Sequence, residues 1–229
     1  MANKPLRLII CGASGRMGAR VRALALKDAR FTLAGGVSLG EDISPLLSRA
    51  DVLVDFTTPE ASVKFVEAAA RAKKAIVIGT TGFSAEQLAR IKARAREIPI
   101  LVSPNFSPGV NLMFKLAARA ARLLPGYDAS ISEIHHNQKK DAPSGTALRL
   151  ARAVMDGRKS KAPVPAVSQR LGDVVGEHTL TLAGPFERLE FTHRAHSRDV
   201  FAKGALEAAL WLARRGPGLY DMGDLLEAS

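Results

Sequence analysis

Near its amino terminus the chain runs Leu6-Arg7-Leu8-Ile9-Ile10-Cys11, an apolar segment of strand length, straight into Gly12-Ala13-Ser14-Gly15-Arg16-Met17-Gly18 and a helical stretch to about Asp28. A strand that delivers a glycine turn into a helix start is the opening unit of a parallel, doubly wound sheet. The glycines at 12, 15 and 18 stand three apart, a variant of the G-x-G-x-x-G dinucleotide fingerprint. Glycine lets the backbone approach a pyrophosphate, whose charge meets the helix N-terminus, and Arg16 can add a guanidinium to the same phosphates. The alternative is a tight strand-to-helix turn that binds no nucleotide.

Strand and helix then alternate for about a hundred residues, as such a sheet requires. Phe31–Val37 reads as the second strand, and Ser38 to Ala50 is a short connection with room for one turn of helix. Asp51–Phe56 is strand-like, and Thr57-Thr58-Pro59-Glu60 supplies a cap and a first-turn proline for a helix to about Lys73. Ala75–Ile78 leads into Gly79-Thr80-Thr81-Gly82, Ser84 with Gln87 forms a capping box for a helix to about Glu97, and Ile98–Val102 is a fifth strand. The loops Phe56-Thr57, Gly79-Thr80-Thr81 and Ser103-Pro104-Asn105-Phe106 all leave carboxyl ends of strands, where open α/β sheets bind ligands.

Beyond Phe106 the pattern changes. A helix over about Asn111–Leu124 precedes a strand candidate, Tyr127–His136, and a further helix follows Ser144. Val164–Arg170, Val174–Ala183 and Arg188–Ala195 have strand character, and the clean alternation of Leu189–His193 suits an antiparallel sheet with one covered face. Phe201–Arg214 is helical, and the tail Gly216–Met222 returns to the first domain. The reading is a dinucleotide-binding domain over residues 1–106, completed by 198–229, around a second domain over 107–197.

The most specific segment is Glu133-Ile134-His135-His136-Asn137-Gln138-Lys139-Lys140-Asp141-Ala142-Pro143-Ser144-Gly145-Thr146. It sets two histidines and two lysines, side chains that exchange protons when their surroundings allow, just before a helix start with Pro143 in its first turn. Ser144, Gly145 and Thr146 are small and bring backbone N–H groups to that start, an anion site. Together they describe a pocket that seats a carboxylate while protonatable side chains work on adjacent atoms. A polar loop feeding a capped surface helix is the alternative.

Composition removes several other classes. With 229 residues, 47% hydrophobic and 24% charged, the chain can bury one large core or two modest ones. One cysteine, Cys11, excludes an internal disulfide framework and fits a reducing compartment, and the sequence offers no metal cluster. No apolar run spans a bilayer and Met1-Ala2-Asn3-Lys4-Pro5 lacks the layout of a secretory signal, so the expectation is a cytoplasmic protein without a membrane role. The net charge of +11 invites nucleic acid, but Arg90, Lys92, Arg94 and Arg96 spread around their helix and only 5% of residues are aromatic. A positive field suits a phosphorylated dinucleotide and a di-acid equally well.

These motifs, with Asp55-Phe56-Thr57, Asn105-Phe106-Ser107 and Glu190-Phe191-Thr192-His193 followed by Arg198 and Phe201, resemble the dihydrodipicolinate reductase family over nearly the whole chain. The resemblance implies a Rossmann-type parallel sheet joined to an α+β substrate and oligomerisation domain with an open mixed sheet, assembled as a homotetramer. It implies reduction of 4-hydroxy-tetrahydrodipicolinate, a cyclic di-acid, to tetrahydrodipicolinate by hydride from NADPH or NADH, in diaminopimelate and lysine synthesis. By it, Gly12, Gly15, Arg16, Met17, Phe56, Thr57, Gly79, Thr81, Ser103 and Phe106 contact the dinucleotide, with Ser38 on its adenosine side. His135 and Lys139 handle the proton, and His136, Lys139, Ser144, Gly145 and Thr146 hold the carboxylates. Arg198 contacts the cofactor or closes the cleft, with an ion pair across the domain boundary as the alternative.

Two departures from the family pattern stand out. The connection after the second strand is unusually short, and no acid ends that strand, where many dinucleotide folds place one; Ser38 stands there, with Glu41 and Asp42 slightly later. Without an acid to repel a 2′-phosphate, NADPH should be tolerated, although Glu41 could still reach a ribose hydroxyl. The rival readings are another two-domain nicotinamide oxidoreductase and a dinucleotide sensor without turnover.

Overall fold

The computed structural model describes residues 4–38 and 40–228, so most of the amino-terminal segment read above for a signal lies outside the described residues. The chain forms two compact units, one made of residues up to Phe106 together with those from Arg198 onward, the other of Ser107–Ser197.

In the first unit the chain alternates β1 (Leu6–Cys11), α1 (Arg16–Ala25), β2 (Phe31–Val37), α2 (Ser44–Leu47), β3 (Val52–Asp55), α3 (Pro59–Arg71), β4 (Ala75–Ile78), α4 (Ala85–Arg94) and β5 (Pro99–Val102). All neighbouring strands of this sheet pair in parallel. Side chains alternate across a strand, so Leu8, Ile10, Val52, Val54 and Val77 enter one core while Ile9, Cys11, Leu53, Ile76 and Ile78 enter the other. Apolar runs without alternation are what a sheet covered on both faces demands. Thr58 accepts the Ala61 N–H ahead of Pro59 to start α3, and Ser84 and Gln87 form the reciprocal capping box of α4.

In the second unit, α5 (Pro108–Leu123), β6 (Asp128–His135), α6 (Gly145–Arg158), β7 (Ala166–Arg170), β8 (Glu177–Ala183) and β9 (Arg188–Arg194) build a four-stranded mixed sheet, ordered β7-β6-β8-β9, against the packed pair α5 and α6. β6 runs parallel to β7 and antiparallel to β8. Ile131 on β6 and Leu180 and Leu182 on β8 supply the sheet's side of the core. Because the side-chain period is two, Glu133 and His135 continue the Ile131 row and His178 continues the Leu180 row, so the core face passes from apolar to ionisable at the carboxyl end of β6.

The chain then returns to the first unit as α7 (Asp199–Leu212), β10 (Gly218–Tyr220) and α8 (Met222–Glu227). β10 adds to β5 in parallel, giving the order β10-β5-β4-β3-β1-β2, and α7 places Ala202, Ala205, Ala209 and Leu212 in the core on one face.

Several sequence expectations need correction. Pro143 stands before the helix rather than in its first turn: Ser144 is the N-cap, its Oγ accepting the Ala147 N–H at 3.2 Å, and the Ala142–Pro143 peptide is cis. α5 begins at Pro108, earlier than Asn111, because Ser107 caps it and a proline suits the first turn. α7 likewise begins at Asp199 rather than Phe201. β9 pairs antiparallel as its alternation suggests, but it is an edge strand with a thin cover; Phe191 packs against the core while Leu189 is exposed. Among the described residues no helix is long and apolar enough to cross a membrane.

Candidate active site

On the first unit the glycine turn sits at the carboxyl end of β1. Gly12 has φ +83°, and a Cβ there would lie 2.6 Å from the Phe56 carbonyl oxygen, so the turn accepts only glycine without rebuilding its neighbour. Gly15 is the N-cap of α1 and offers no side-chain acceptor, which leaves the helix start to a ligand rather than to the protein's own cap. Gly15 and Arg16 are exposed and Met17 is half-buried. This is a cradle into which a dinucleotide pyrophosphate fits.

The loops beside it are tied by one buried carboxylate. Asp55, at the end of β3, accepts from Thr57 Oγ1 at 2.6 Å, from Thr80 Oγ1 at 3.3 Å and from Ser62 Oγ, while the Thr57 N–H donates to Thr80 Oγ1 at 2.9 Å. Burial pushes Asp55 up to about 6 against the pull of those hydroxyls. Thr80 therefore points inward, whereas Thr81 is exposed beside Gly79. Phe106 is buried with its ring edge-on to Phe56 at 5.7 Å, so its side chain supports Phe56 from the core. Ser103 is buried too, donating to the Asn105 carbonyl at 2.7 Å, which spends its hydroxyl on the turn.

At the carboxyl end of β2 a cavity of about 390 Å³ is lined by Ala13, Arg22, Gly36, Ser38 and Glu41 among others. The Ser38 N–H donates to Glu41 Oε2 at 2.6 Å. The strand carries no acid of its own, yet the short connection after it brings one to its end. A second, shallow depression beside α1 is lined by Arg16, Arg20, Arg198 and Asp199, with Arg20 paired to Asp199 at 2.5 Å.

The second unit holds the ionisable cluster. Glu133 is fully buried, and its Oε1 accepts from the Ser144 N–H at 3.2 Å and from Arg170 Nη2 at 3.1 Å. Its Oε2 lies against His135 Nδ1 without hydrogen-bond geometry, a contact that becomes an ion pair when the imidazole is protonated. His135 stands edge-on to His178 with ring centres 5.1 Å apart, and His178 Nε2 shares a hydrogen bond with Ser144 Oγ at 3.1 Å. Lys139 pairs with Asp141 at 2.8 Å, and Arg170 also binds the carbonyls of Lys139 and Asp141. His136 and Thr146 are half-buried at either end of this segment. A Cβ on Gly145 would meet nothing within 4 Å, so the space before this helix start is open.

The charges there oppose one another. Burial pushes Glu133 up, but the nearby hydroxyl of Ser168, the hydrogen bonds from Ser144 and Arg170 and the imidazole of His135 outweigh it and hold the carboxyl well below its ordinary range. Burial lowers His135, with Lys139 and Arg170 adding to that and Glu133 resisting. His178, more deeply buried, falls to about 4 and is neutral at pH 7. The expectation that no metal cluster is available needs amending, since folding brings ligand atoms of Glu133, His135 and His178 within 4.8 Å of one another. Arg170 already neutralises Glu133, and His135 Nδ1 rests on the other carboxylate oxygen, so the cluster reads as an acid–base group.

Two family models account for almost the whole chain: "Dihydrodipicolinate reductase, N-terminus" over residues 6–106 and "Dihydrodipicolinate reductase, C-terminus" over 109–226. The chain belongs to the dihydrodipicolinate reductase family. Within it, the 4-hydroxy-tetrahydrodipicolinate reductase of Aquifex aeolicus is 45% identical over 261 positions, covering 96% of this chain and 98% of that protein. The reductase of Syntrophus aciditrophicus is 40% identical with the same coverage. Those alignments exceed the 229 residues of this chain, so internal segments of these reductases are missing here. A dipicolinate-bound dihydrodipicolinate reductase from Paenisporosarcina sp. TG-14 superposes with TM-score 0.83 at 25% identity, covering 95% of this chain and 97% of the other. An amine dehydrogenase from Mycobacterium smegmatis shares the fold alone, with TM-score 0.58 at 11% identity over 96% of each chain.

Within this reductase framework, sequence reasoning assigned no role to Arg170, His178, Asp55 or Glu133, all of which hold other site candidates in place. Alternation along β6 puts Glu133 on the face of His135 and was readable; Arg170 and His178 come from other strands and required the register.

Proposed function

We propose that the protein is an NAD(P)H-dependent 4-hydroxy-tetrahydrodipicolinate reductase of diaminopimelate and lysine synthesis. Membership of the reductase family supports the reaction, and the observation that carries the site assignment is the second unit's grouping of His135 and Lys139 with the start of α6. A reduced nicotinamide supplies the hydride, and its diphosphate suits the Gly12–Gly15 cradle with Arg16, while Phe56, Thr57, Gly79 and Thr81 line the way toward its ring.

The chain's own groups do the rest. The N–H groups of Gly145 and Thr146 seat a substrate carboxylate at the helix start, with His136 and Ser144 flanking it. Hydride delivery leaves negative charge on the ring-nitrogen side of the substrate, so an acid must stand ready as that charge develops. His135 and Lys139 fill that role, and the polar row at the end of β6 fixes the imidazole. As finer points of the same reading, the enzyme is cytoplasmic and assembles as a homotetramer. Exposed Val167 on the edge strand β7, on the face of the sheet turned away from the Ile131 row, supports burial of that face by another copy.

The test is loss of nicotinamide absorbance on mixing protein, NADH or NADPH and the freshly made condensation product of pyruvate and aspartate semialdehyde. Turnover is expected. A protein that binds the dinucleotide without oxidising it would be a sensor, and the proposal would fall.

A further inference from the structure

Glu133 lies where three parts of the proposed substrate site meet. It sits on β6 two residues before His135 and therefore on the same face, is fully buried, and stands opposite His178 of the neighbouring strand β8. One carboxylate oxygen takes the N–H of Ser144, the cap of α6, and a guanidinium N–H of Arg170; the other lies against His135 Nδ1. Arg170 in turn holds the carbonyls of Lys139 and Asp141. On the opposite edge of the imidazole, Nε2 lies 3.0 Å from where a Gly176 Cβ would be, so that position leaves room for the ring only as glycine. A buried carboxylate is costly unless its lone pairs are filled, and here each filled lone pair belongs to a different functional element.

We propose that Glu133 is a positioning residue that couples the proton-donating histidine to the carboxylate seat. Through His135 Nδ1 it fixes the ring and favours its protonated form, leaving Nε2 as the edge that can give the proton. Through Ser144 and Arg170 it locks the α6 start and the Lys139–Asp141 loop to the same point. A substrate carboxylate that draws on the α6 start thus meets the histidine at a set distance. The inference rests on the reading of His135 as the proton donor.

The charged and titratable groups around His135 give the test its sign. Glu133, on its own strand, favours the imidazolium, whereas Lys139 from the following loop, Arg170 from β7 and His178 from β8 disfavour it. Glu133→Gln keeps the size and an acceptor for Ser144 but removes the charge. The alkaline limb of the kcat–pH profile should move to lower pH by about one unit, kcat at pH 8 should fall about tenfold or more, and KM for the dinucleotide should hold. Arg170→Gln should move the same limb to higher pH while raising KM for the di-acid, because the loop loses its anchor.

A merely structural Glu133 would lower the melting temperature in Glu133→Gln and leave the limb in place, which overturns the coupling. If Glu133→Gln does not fold, the limb of Arg170→Gln decides, and an unmoved limb there overturns it as well. His135→Asn separates the two levels. If that variant keeps turnover within about threefold, the reading of His135 fails; if turnover is lost and the limb stays fixed in both other variants, only the coupling fails.

Discussion

The Thr80 hydroxyl donates to the carboxylate of Asp55 and accepts the backbone N–H of Thr57, so two ligand-side loops of the first sheet are fastened through a single side chain. Burial raises Asp55 to about 6, above its unfolded value. For an acid this means a stability contribution present below the unfolded pKa and lost as pH rises through the folded one. Asp55→Asn should therefore destabilise most near pH 4, with the penalty shrinking by about 2–3 kcal/mol towards pH 7. Melting temperatures of parent and variant across that range check it; a penalty that grows with pH would show the carboxylate to be held ionised.

Lys139 sits over the same loop as Asp141 and is offered as a proton or charge partner to His135. Lys139→Ala should lower kcat by roughly 10²–10⁴ with cofactor affinity near its parent value, and the neighbouring, exposed Lys140→Ala should be mild. Steady-state kinetics with dinucleotide binding measured separately settle the point, and a loss below about threefold removes Lys139 from the chemistry.

At Gly145 the chain itself leaves open space, so a larger side chain collides with a ligand and with nothing in the protein. Gly145→Val should raise KM for the di-acid steeply while melting temperature changes little. Unchanged KM would move the carboxylate site away from this helix end.

For cofactor choice the expectation rests on Glu41. Its carboxylate, fixed by the Ser38 N–H, stands at the end of β2 where a dinucleotide fold meets the adenosine ribose. A 2′-phosphate beside it meets like charge, on the order of 1–3 kcal/mol in a half-open site. Glu41→Ser should improve NADPH relative to NADH by about 5- to 150-fold in kcat/KM. Ser38→Asp should do the reverse, weakening NADPH and sparing NADH. A ratio unmoved by both changes would place the ribose elsewhere.

How far the sequence carried differs between the two units. β1, β3 and β4 were readable because a sheet covered on both faces writes itself as unbroken apolar runs, and α3 and α4 because Thr58 and Ser84 announce their caps. The helix start at Ser144 was readable, although Pro143 was set in its first turn and stands before the cap. The remainder depended on pairing. Arg170 joins Glu133 only through the parallel register of β7 with β6, and His178 only through the antiparallel register of β8, neither of which local pattern specifies. Glu41 was noticed as near, but its seat on the Ser38 N–H depends on the path of a connection that carries no strong propensity.

The return of the chain at α7 and β10 has a consequence for synthesis. α7 fills one face of the nucleotide-binding sheet and β10 closes its β5 edge, yet both lie beyond the whole second unit in sequence. During translation the first five strands leave the ribosome with Leu8, Val54, Val77 and their neighbours lacking that cover, and they must wait about ninety residues for it, or some seconds at ordinary elongation rates. The second unit, contiguous in sequence, can close over its own core meanwhile. The order of completion thus opposes the order of synthesis: the segment made first is the one completed last.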